Sequence, residues 1–268
     1  MLAPALFRRF RDVAYSQAGI ALKDGKETLV ESRIGKRLTA LGLPDAEAYA
    51  DFLEAHAEDE VVQFLDVIST NFTSFYREPD HFELLTEHAT QWLEAGQKKV
   101  RVWCAASSTG EEPYTLLMTL DQVLGGQVDW KILATDISTR VLDAARKGAF
   151  PEERLAGVPS HLKHHYFERI KRPGVPDEWQ IRASYREHVT FGRLNLSHVP
   201  YPLSGPLDAV FCRNVMIYFD AATRQTVVTQ AERLLRPGGL LVIGHAETLN
   251  GLNTRLQIVR PSVFRKPL

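Results

Sequence analysis

The segment KVRVWCAASSTGEEPY, residues 99–114, joins an apolar run to a group of small residues and then to an acidic run. The apolar run ending at Ala105 is typical of a buried strand, and the small residues after it allow the backbone to turn tightly. Glu111, Glu112 and Pro113 suit a first helical turn, because acidic side chains complement the helix dipole and proline leaves no backbone N–H unpaired there. The segment therefore predicts a strand, a tight turn and a helix of an α/β fold.

The same alternation continues through the rest of the chain. Further strands are predicted at 130–136 (WKILATD), 188–194 (HVTFGRL), 207–213 (LDAVFCR) and 238–246 (GGLLVIGHA), and helices at 111–124, 138–147 and 221–235. Continuous apolar strands that alternate with helices predict a parallel sheet covered on both faces, and such sheets bind ligands at the carboxyl ends of their strands. Residues 149–187 break the alternation with clustered prolines and glycines and the strand-like EWQIR, so an inserted subdomain is predicted there.

The N-terminal part of the chain has a different pattern. Apolar residues recur at helical spacing, for example at Ile34, Leu38 and Leu41, which predicts a small all-helical domain ending near Thr70. In the stretch SRIGKRL, three basic residues share one helical face at i, i+3 and i+4, namely Arg33, Lys36 and Arg37. This face is a candidate docking surface for an acidic partner, although a charge run is more often ordinary solvated surface.

Composition limits the class of protein. The chain has 268 residues, 44% of them hydrophobic, which suits one large domain or two unequal ones. Its formal net charge of -1 gives no overall field that would attract nucleic acid or a membrane surface. Cys104 and Cys212 lie inside predicted strands and form neither a disulfide framework nor a metal-ligand spacing. Since no apolar stretch approaches the roughly 18 residues needed to span a bilayer, we expect a cytoplasmic protein without membrane insertion.

Two carboxylates lie where ligands are expected, at the ends of predicted strands. Asp136 ends the second strand, where a carboxylate can accept both hydroxyls of a ribose. It could instead cap helix 138–147, but Ser138 stands at the position where the cap is needed, so the ribose role is favoured. Glu112 follows the first strand, and the helix dipole explains only one of two adjacent glutamates.

Five motifs carry a specific resemblance. NFTSFYR, AASSTGEEPY, ATDIS, CRNVMIYF and LLRPGGLLVIGHAE closely resemble the CheR-type chemotaxis receptor methyltransferases, in this order and at these intervals. These enzymes use S-adenosylmethionine to esterify glutamate side chains of bacterial chemoreceptors and release S-adenosylhomocysteine. The resemblance implies an N-terminal helical domain (1–70), a linker that closes over the cofactor (71–97) and a Rossmann-like class I methyltransferase domain (98–268) with an inserted β-subdomain at about 149–187.

The resemblance also implies roles for individual residues. Asn71, Thr73 and Arg77 would face the cofactor from the linker, with the phenylalanines holding that linker down. The remaining implied cofactor contacts are Glu112 for the methionyl ammonium, Asp136 for the ribose, Asn195 and Leu196 beside the adenine, and Arg213 and Asn214 along the wall. Tyr218 would stand near the transferred methyl group, so Arg77 and Tyr218 are the candidate catalytic residues. Thr73 as a helix cap, Asn195 as a turn residue and Tyr218 as a core aromatic remain the structural alternatives.

The implied partner is the cytoplasmic helical region of transmembrane chemoreceptors, docked on the face formed by Arg33, Lys36 and Arg37. Members of the family differ in whether the inserted subdomain also grips a receptor C-terminal peptide, and residues 171–177 leave both alternatives open. No metal and no nucleic acid are implied. Two other functions fit the same fold: a small-molecule O-methyltransferase, which would not need the basic face, and a non-catalytic scaffold, in which Glu112 and Asp136 would have no purpose.

Overall fold

A computed structural model describes residues 2–68, 72–172 and 175–268. Its N-terminal part consists of helices α1 (Pro4–Ala18), α2 (Glu27–Leu41), α3 (Ala46–Ala55) and α4 (Ala57–Ile68). Gly19 and Gly42 end α1 and α2 in the left-handed conformation that glycine adopts without strain. The rings of Phe10, Tyr49 and Phe64 pack together at centroid distances of 5.6–6.4 Å and form the centre of this core.

The rest of the chain forms an α/β fold. In chain order its elements are α5 (Asp80–Glu94), β1 (Lys99–Cys104), α6 (Glu111–Leu124), β2 (Asp129–Asp136), α7 (Thr139–Lys147), β3 (Ala149–Pro151), α8 (Ser160–Tyr166), β4 (Phe167–Arg172), β5 (Val175–Ile181), α9 (Ala183–Arg186), β6 (Val189–Arg193), β7 (Leu207–Cys212), α10 (Ala221–Leu234), β8 (Leu235–Ile243), β9 (Gln257–Arg260) and β10 (Val263–Arg265). All five strands predicted from the alternating pattern are present, as are the three predicted helices that connect them.

The main sheet has seven strands in the order β6-β2-β1-β7-β8-β10-β9. The first five are parallel, and β10 pairs antiparallel with both β8 and β9. Apolar side chains of α5 and α6, such as Leu85 and Leu117, cover one face, and side chains of α10, such as Val228, cover the other. The order reverses beside β1, between β2 and β7, so the carboxyl ends of these strands form the crevice where open α/β sheets bind ligands.

The inserted region contains its own small sheet. Strands β3, β5 and β4 form a three-stranded antiparallel sheet in the order β3-β5-β4. It lies within the interval 149–187 in which the sequence breaks the alternation. Helix α8 precedes β4 and contributes the buried Leu162 and Tyr166 to the core.

Residues 72–79, here called the strap, connect the N-terminal helices to α5. Phe75 is 3% exposed and packs edge-on against Phe150 of β3 and Phe167 of β4, with ring centroids 5.0 and 5.8 Å apart. Phe82, in the first turn of α5, is also buried. Phe72 is 68% exposed, so the expectation that all the phenylalanines hold the strap down is wrong for this one. The predicted linker also includes a full helix, α5.

The antiparallel hairpin β9–β10 was not predicted. Its strands have only four and three residues, and Ile258 on the edge strand is 72% exposed, so neither shows the continuous apolar pattern of the inner strands. Among the residues that the structure describes, no helix combines the length and the apolar character needed to cross a bilayer.

Candidate active site

A cavity of about 950 Å³, including its open mouth, lies between the N-terminal helices, the strap and the carboxyl ends of the central strands. It brings together nine of the residues predicted for the site, namely Thr73, Arg77, Glu112, Asp136, Asn195, Leu196, Arg213, Asn214 and Tyr218. Asn71, the other predicted member, lies outside the described residues. The cavity therefore unites residues from four separate motifs.

Glu112 and Arg213 form a largely buried ion pair in the wall of the cavity. Glu112 stands in the first turn of α6, and its Oε2 accepts a hydrogen bond from Arg213 Nη1 at 2.8 Å. The Cys104 thiol donates to the other carboxylate oxygen at 3.2 Å. Burial raises the pKa of Glu112, and the adjacent guanidinium acts in the opposite direction. Each carboxylate oxygen retains acceptor capacity for a further donor.

Asp136 at the end of β2 is held by backbone donors. Its two oxygens accept from the N–H groups of Ser108, at 2.9 Å, and Ser138, at 3.0 Å. The Ser138 hydroxyl caps α7 by accepting from the N–H of Val141 at 3.2 Å, so Asp136 is not the cap of that helix. Burial raises the pKa of Asp136, these backbone donors oppose the rise, and the negative charge of Asp66 adds to it.

Glu78 connects the strap to the loop after β7, a role that sequence reasoning missed. It accepts from Arg213 Nη2 at 3.1 Å, from Asn214 Nδ2 at 3.1 Å and from the backbone N–H of His245 at 3.3 Å. Arg213 also donates to the backbone carbonyl of Arg77. Tyr76, Glu78, Ser108 and Asn214 all have positive φ. Such strained backbone is concentrated where the surrounding contacts over-determine it, as is common at functional sites.

Glu247 fixes the loop that carries Tyr218 and was also missed. Its carboxylate accepts from the backbone N–H groups of Gly244 at 2.6 Å, Asn214 at 2.9 Å and Ile217 at 3.3 Å. Burial raises the pKa of Glu247, and these backbone donors lower it. Because Ile217 immediately precedes Tyr218, the Glu247 contacts position the tyrosine at the wall of the cavity.

The N-terminal helices close one side of the same cavity. The backbone N–H of Ala21 donates to the carbonyl of Tyr218 at 2.8 Å, and Asn195 Nδ2 donates to the carbonyl of Gln17 at 2.6 Å. Gly19 has φ 67°, and a Cβ there would lie 2.7 Å from Cβ of Ser197, so only glycine allows this approach. The helical part is thus joined to the loops that surround the site.

The basic face of α2 differs from its prediction. Arg37 pairs with the buried Glu60 through two hydrogen bonds of 2.8 and 2.7 Å, and the Tyr49 hydroxyl donates to the same carboxylate at 2.7 Å. The Arg37 side chain is only 18% exposed, so the expectation that it presents a free charge on the surface is wrong. Arg33 is half-buried and donates to the backbone carbonyl of Ile68, whereas Lys36 is exposed.

The three strands of the insert form a separate sheet and are left out here. When the strands of the main sheet are renumbered in chain order without them, their order across the sheet is 3-2-1-4-5-7-6. This order, with buried carboxylates at the ends of its first two strands, defines a Rossmann-like class I methyltransferase. Residues 71–264 match CheR methyltransferase, SAM binding domain, and residues 5–69 match CheR methyltransferase, all-alpha domain. The chain belongs to the CheR methyltransferase family.

Curated relatives agree with this assignment. The chemotaxis protein methyltransferase of Escherichia coli (strain K12) is 40% identical over 267 residues, covering 98% of this chain and 91% of the relative. Chemotaxis protein methyltransferase 2 of Pseudomonas aeruginosa is 40% identical over 259 residues, covering 96% and 91%. The chemotaxis protein methyltransferase of Borreliella burgdorferi is 36% identical over 267 residues, covering 96% and 93%. These matches support S-adenosylmethionine-dependent methylation in chemotaxis.

Proposed function

We propose that this protein transfers the methyl group of S-adenosylmethionine to glutamate side-chain carboxylates of chemoreceptors, giving methyl esters and S-adenosylhomocysteine. The observation that carries the proposal is the single cavity in which strap, strand ends and the Tyr218 loop meet. Its chemistry fits the cofactor, because the ammonium and the ribose hydroxyls are donors and the buried Glu112 and Asp136 are acceptors.

In this proposal the residues that line the cavity have the roles that the resemblance implies. Glu112 takes the methionyl ammonium, and Asp136 takes the ribose hydroxyls. Thr73 and Arg77 face the cofactor from the strap, which closes over it. Asn195 and Leu196 border the adenine, and Arg213 and Asn214 form the wall between the strap and the loop after β7.

The reaction needs positioning more than proton transfer. S-adenosylmethionine supplies an electrophilic methyl group bonded to a positively charged sulfur. A glutamate side chain has a reference pKa of about 4.3, so at neutral pH it is already a nucleophile and needs no general base. The attacking oxygen, the methyl carbon and the sulfur must lie in line, and charge is neutralised as the reaction proceeds, so a dry cavity favours it.

Arg77 and Tyr218 therefore orient the reacting groups. The Arg77 Nη1 donates to the carbonyl of Phe72 at 2.9 Å, and its guanidinium lies 5.5 Å from the Phe72 ring centroid, which restrains the side chain at the mouth of the cavity. A tight ion pair with the attacking carboxylate would stabilise the ground state more than the transition state, in which that charge has been lost. Orientation without tight pairing is the arrangement that accelerates the reaction.

The partner in this proposal is the cytoplasmic helical region of a chemoreceptor, which carries the glutamates. The N-terminal domain, residues 1–70, would dock it through the exposed Lys36 and the neighbouring Arg33, with Arg37 supporting α2 from inside. The inserted three-stranded sheet is the proposed site for a receptor C-terminal peptide in those receptors that have one. The proposed function puts the protein in the cytoplasm, where this receptor region lies.

Methylation of receptor-containing membranes tests the proposal. Membranes from the same source are incubated with the protein and with S-adenosylmethionine labelled in its methyl group, and alkali then releases methanol from any ester. We expect alkali-labile label in the receptor, little label with Asp136→Ala, and normal label with Asp143→Ala, a change on the exposed face of α7. Alkali-stable label, or label confined to small molecules, would contradict the proposal.

A further inference from the structure

Asp66 on α4 is a buried carboxylate with an unused oxygen at the edge of the cavity. The residue is 6% exposed and lines the same cavity as Asp136. Its Oδ2 accepts from Arg140 Nε at 2.7 Å, whereas Oδ1 has no hydrogen-bond partner among the described residues. A buried acceptor without a donor is costly, so an orphaned oxygen beside a ligand cavity points to a donor supplied by the ligand.

The surroundings of Asp66 indicate which part of the ligand is near. Leu65, Ile137, Leu194 and Leu196 line the cavity with apolar side chains, as a flat aromatic ring requires. Asp66 also lies close enough to Asp136 for its charge to raise the pKa of that residue, which places Asp66 beside the carboxylate proposed for the ribose. The base attached to that ribose is the neighbouring part of the ligand.

Asn195, the polar residue proposed to border the adenine, has little remaining capacity for the base. Its Nδ2 donates to the carbonyl of Gln17 at 2.6 Å. Its Oδ1 accepts from both the N–H and the hydroxyl of Ser197, at 3.0 and 2.8 Å, which uses its two acceptor positions. An adenine amino group that enters this region therefore needs another acceptor.

We propose that Asp66 Oδ1 accepts a hydrogen bond from the exocyclic amino group of the cofactor's adenine, an inference that rests on S-adenosylmethionine being the cofactor. The N-terminal helices then contribute a specificity-determining contact to the cofactor site. Arg140 holds the other carboxylate oxygen and so orients the free one. A base without the amino group leaves this oxygen unpaired and binds more weakly.

Calorimetric titration with two ligands tests the inference. One is S-adenosylhomocysteine, and the other is the same molecule with its 6-amino group replaced by hydrogen. A hydrogen bond to a charged group predicts that the wild-type protein prefers the amino ligand by about 10- to 100-fold. Asp66→Ala should remove most of this preference, and so should Asp66→Asn, because Arg140 holds the amide oxygen and the amide N–H groups then face the cavity. Asp143→Ala, a change on the exposed face of α7, is the control and should retain the preference.

The outcomes separate this inference from the proposed function. Failure of the wild-type protein to bind S-adenosylhomocysteine would overturn both. Equal wild-type affinity for the two ligands would overturn the Asp66 contact alone, and it would do so without any variant, even if Asp66→Ala does not fold. A preference that survives in folded Asp66→Ala would assign the amino group to a different acceptor.

Discussion

The carboxyl groups of Glu112 and Asp136 are largely buried, and this burial raises the pKa of each above its ordinary value. Arg213 opposes this rise at Glu112, and backbone N–H groups oppose it at Asp136. Because the folded-state pKa of each group is raised, the protonated group stabilises the free protein at pH values below its ordinary pKa. That contribution is lost as pH rises through the folded-state pKa.

Cofactor binding should therefore depend on pH in the acid range. An ammonium and two hydroxyl donors favour the ionised carboxylates, so binding lowers both pKa values and releases protons wherever the free protein is still protonated. We expect the affinity for S-adenosylmethionine to increase as pH rises above 4.5 and to level off once both groups are ionised in the free protein. Titration calorimetry in two buffers of different ionisation enthalpy measures the released protons. A flat affinity with no proton release would contradict these roles.

Tyr218 should affect turnover rather than cofactor binding. If its hydroxyl orients the reacting groups, Tyr218→Phe keeps the ring that lines the cavity and loses only that orientation. We predict a kcat lower by about 10-fold or more with an unchanged Kd for S-adenosylmethionine, from methylation kinetics and calorimetry on the same preparation. Equal losses in both quantities would make Tyr218 a residue of the cofactor wall instead.

The sequence indicated Glu112 and Asp136 because each follows a predicted strand, and strand ends of parallel sheets meet at one edge. The resemblance supplied Thr73, Arg77 and Tyr218. Glu78 and Glu247 could not be found in this way, because their importance depends on tertiary contacts: Glu78 reaches Arg213, which is 135 residues away in the chain. A carboxylate beside a proline, like Glu78, or after an alanine, like Glu247, carries no sequence signal of such contacts.

Two of the basic residues of helix α2, Arg37 and Lys36, differ in burial, because Arg37 is mostly buried and Lys36 is exposed. Arg37→Ala leaves Glu60 buried without its cation, so we predict a loss of about 2–3 kcal/mol in the free energy of unfolding. Lys36→Ala removes an exposed charge, so its stability should stay within about 0.5 kcal/mol of wild type while receptor methylation falls modestly and loses salt sensitivity. Urea unfolding and methylation across a salt series measure both effects. If Arg37→Ala is as stable as wild type and loses only receptor methylation, Arg37 is part of the docking surface and not a structural residue.

The strands and helices themselves were predictable to different degrees. Long apolar strands flanked by turn residues, such as β1 and β2, are recognisable from the sequence because both of their faces are buried. The hairpin β9–β10 was not predicted from the sequence because its short strands and the exposed Ile258 do not produce that pattern. For α2, helical spacing was sufficient to predict the helix. It could not show that Arg37 turns toward Glu60, which lies on a different helix.

Parts of the chain that are far apart in sequence surround one cavity. Ala18 and Ile20 of the N-terminal part, Thr73 of the strap and Phe219 after β7 all line it, so no single domain holds the complete site. The bridge between Ile20 and Phe219 and the contact of Ala21 with Tyr218 link the N-terminal helices to the proposed catalytic loop. In the proposed function, a receptor docked on these helices would present its glutamate at the mouth of the cavity.

Mass spectrometry of the methylated receptor tests directly whether this protein esterifies glutamate side chains. The receptor is incubated with S-adenosylmethionine and either wild-type protein or Tyr218→Phe, digested, and its peptides are sequenced by fragmentation. We predict one added methyl group on each of a few glutamate side chains of the cytoplasmic helical region, lost on alkali treatment and much reduced with the variant. Methyl groups on lysine, arginine or asparagine side chains, or an unmodified receptor with a fully active cofactor site, would contradict it.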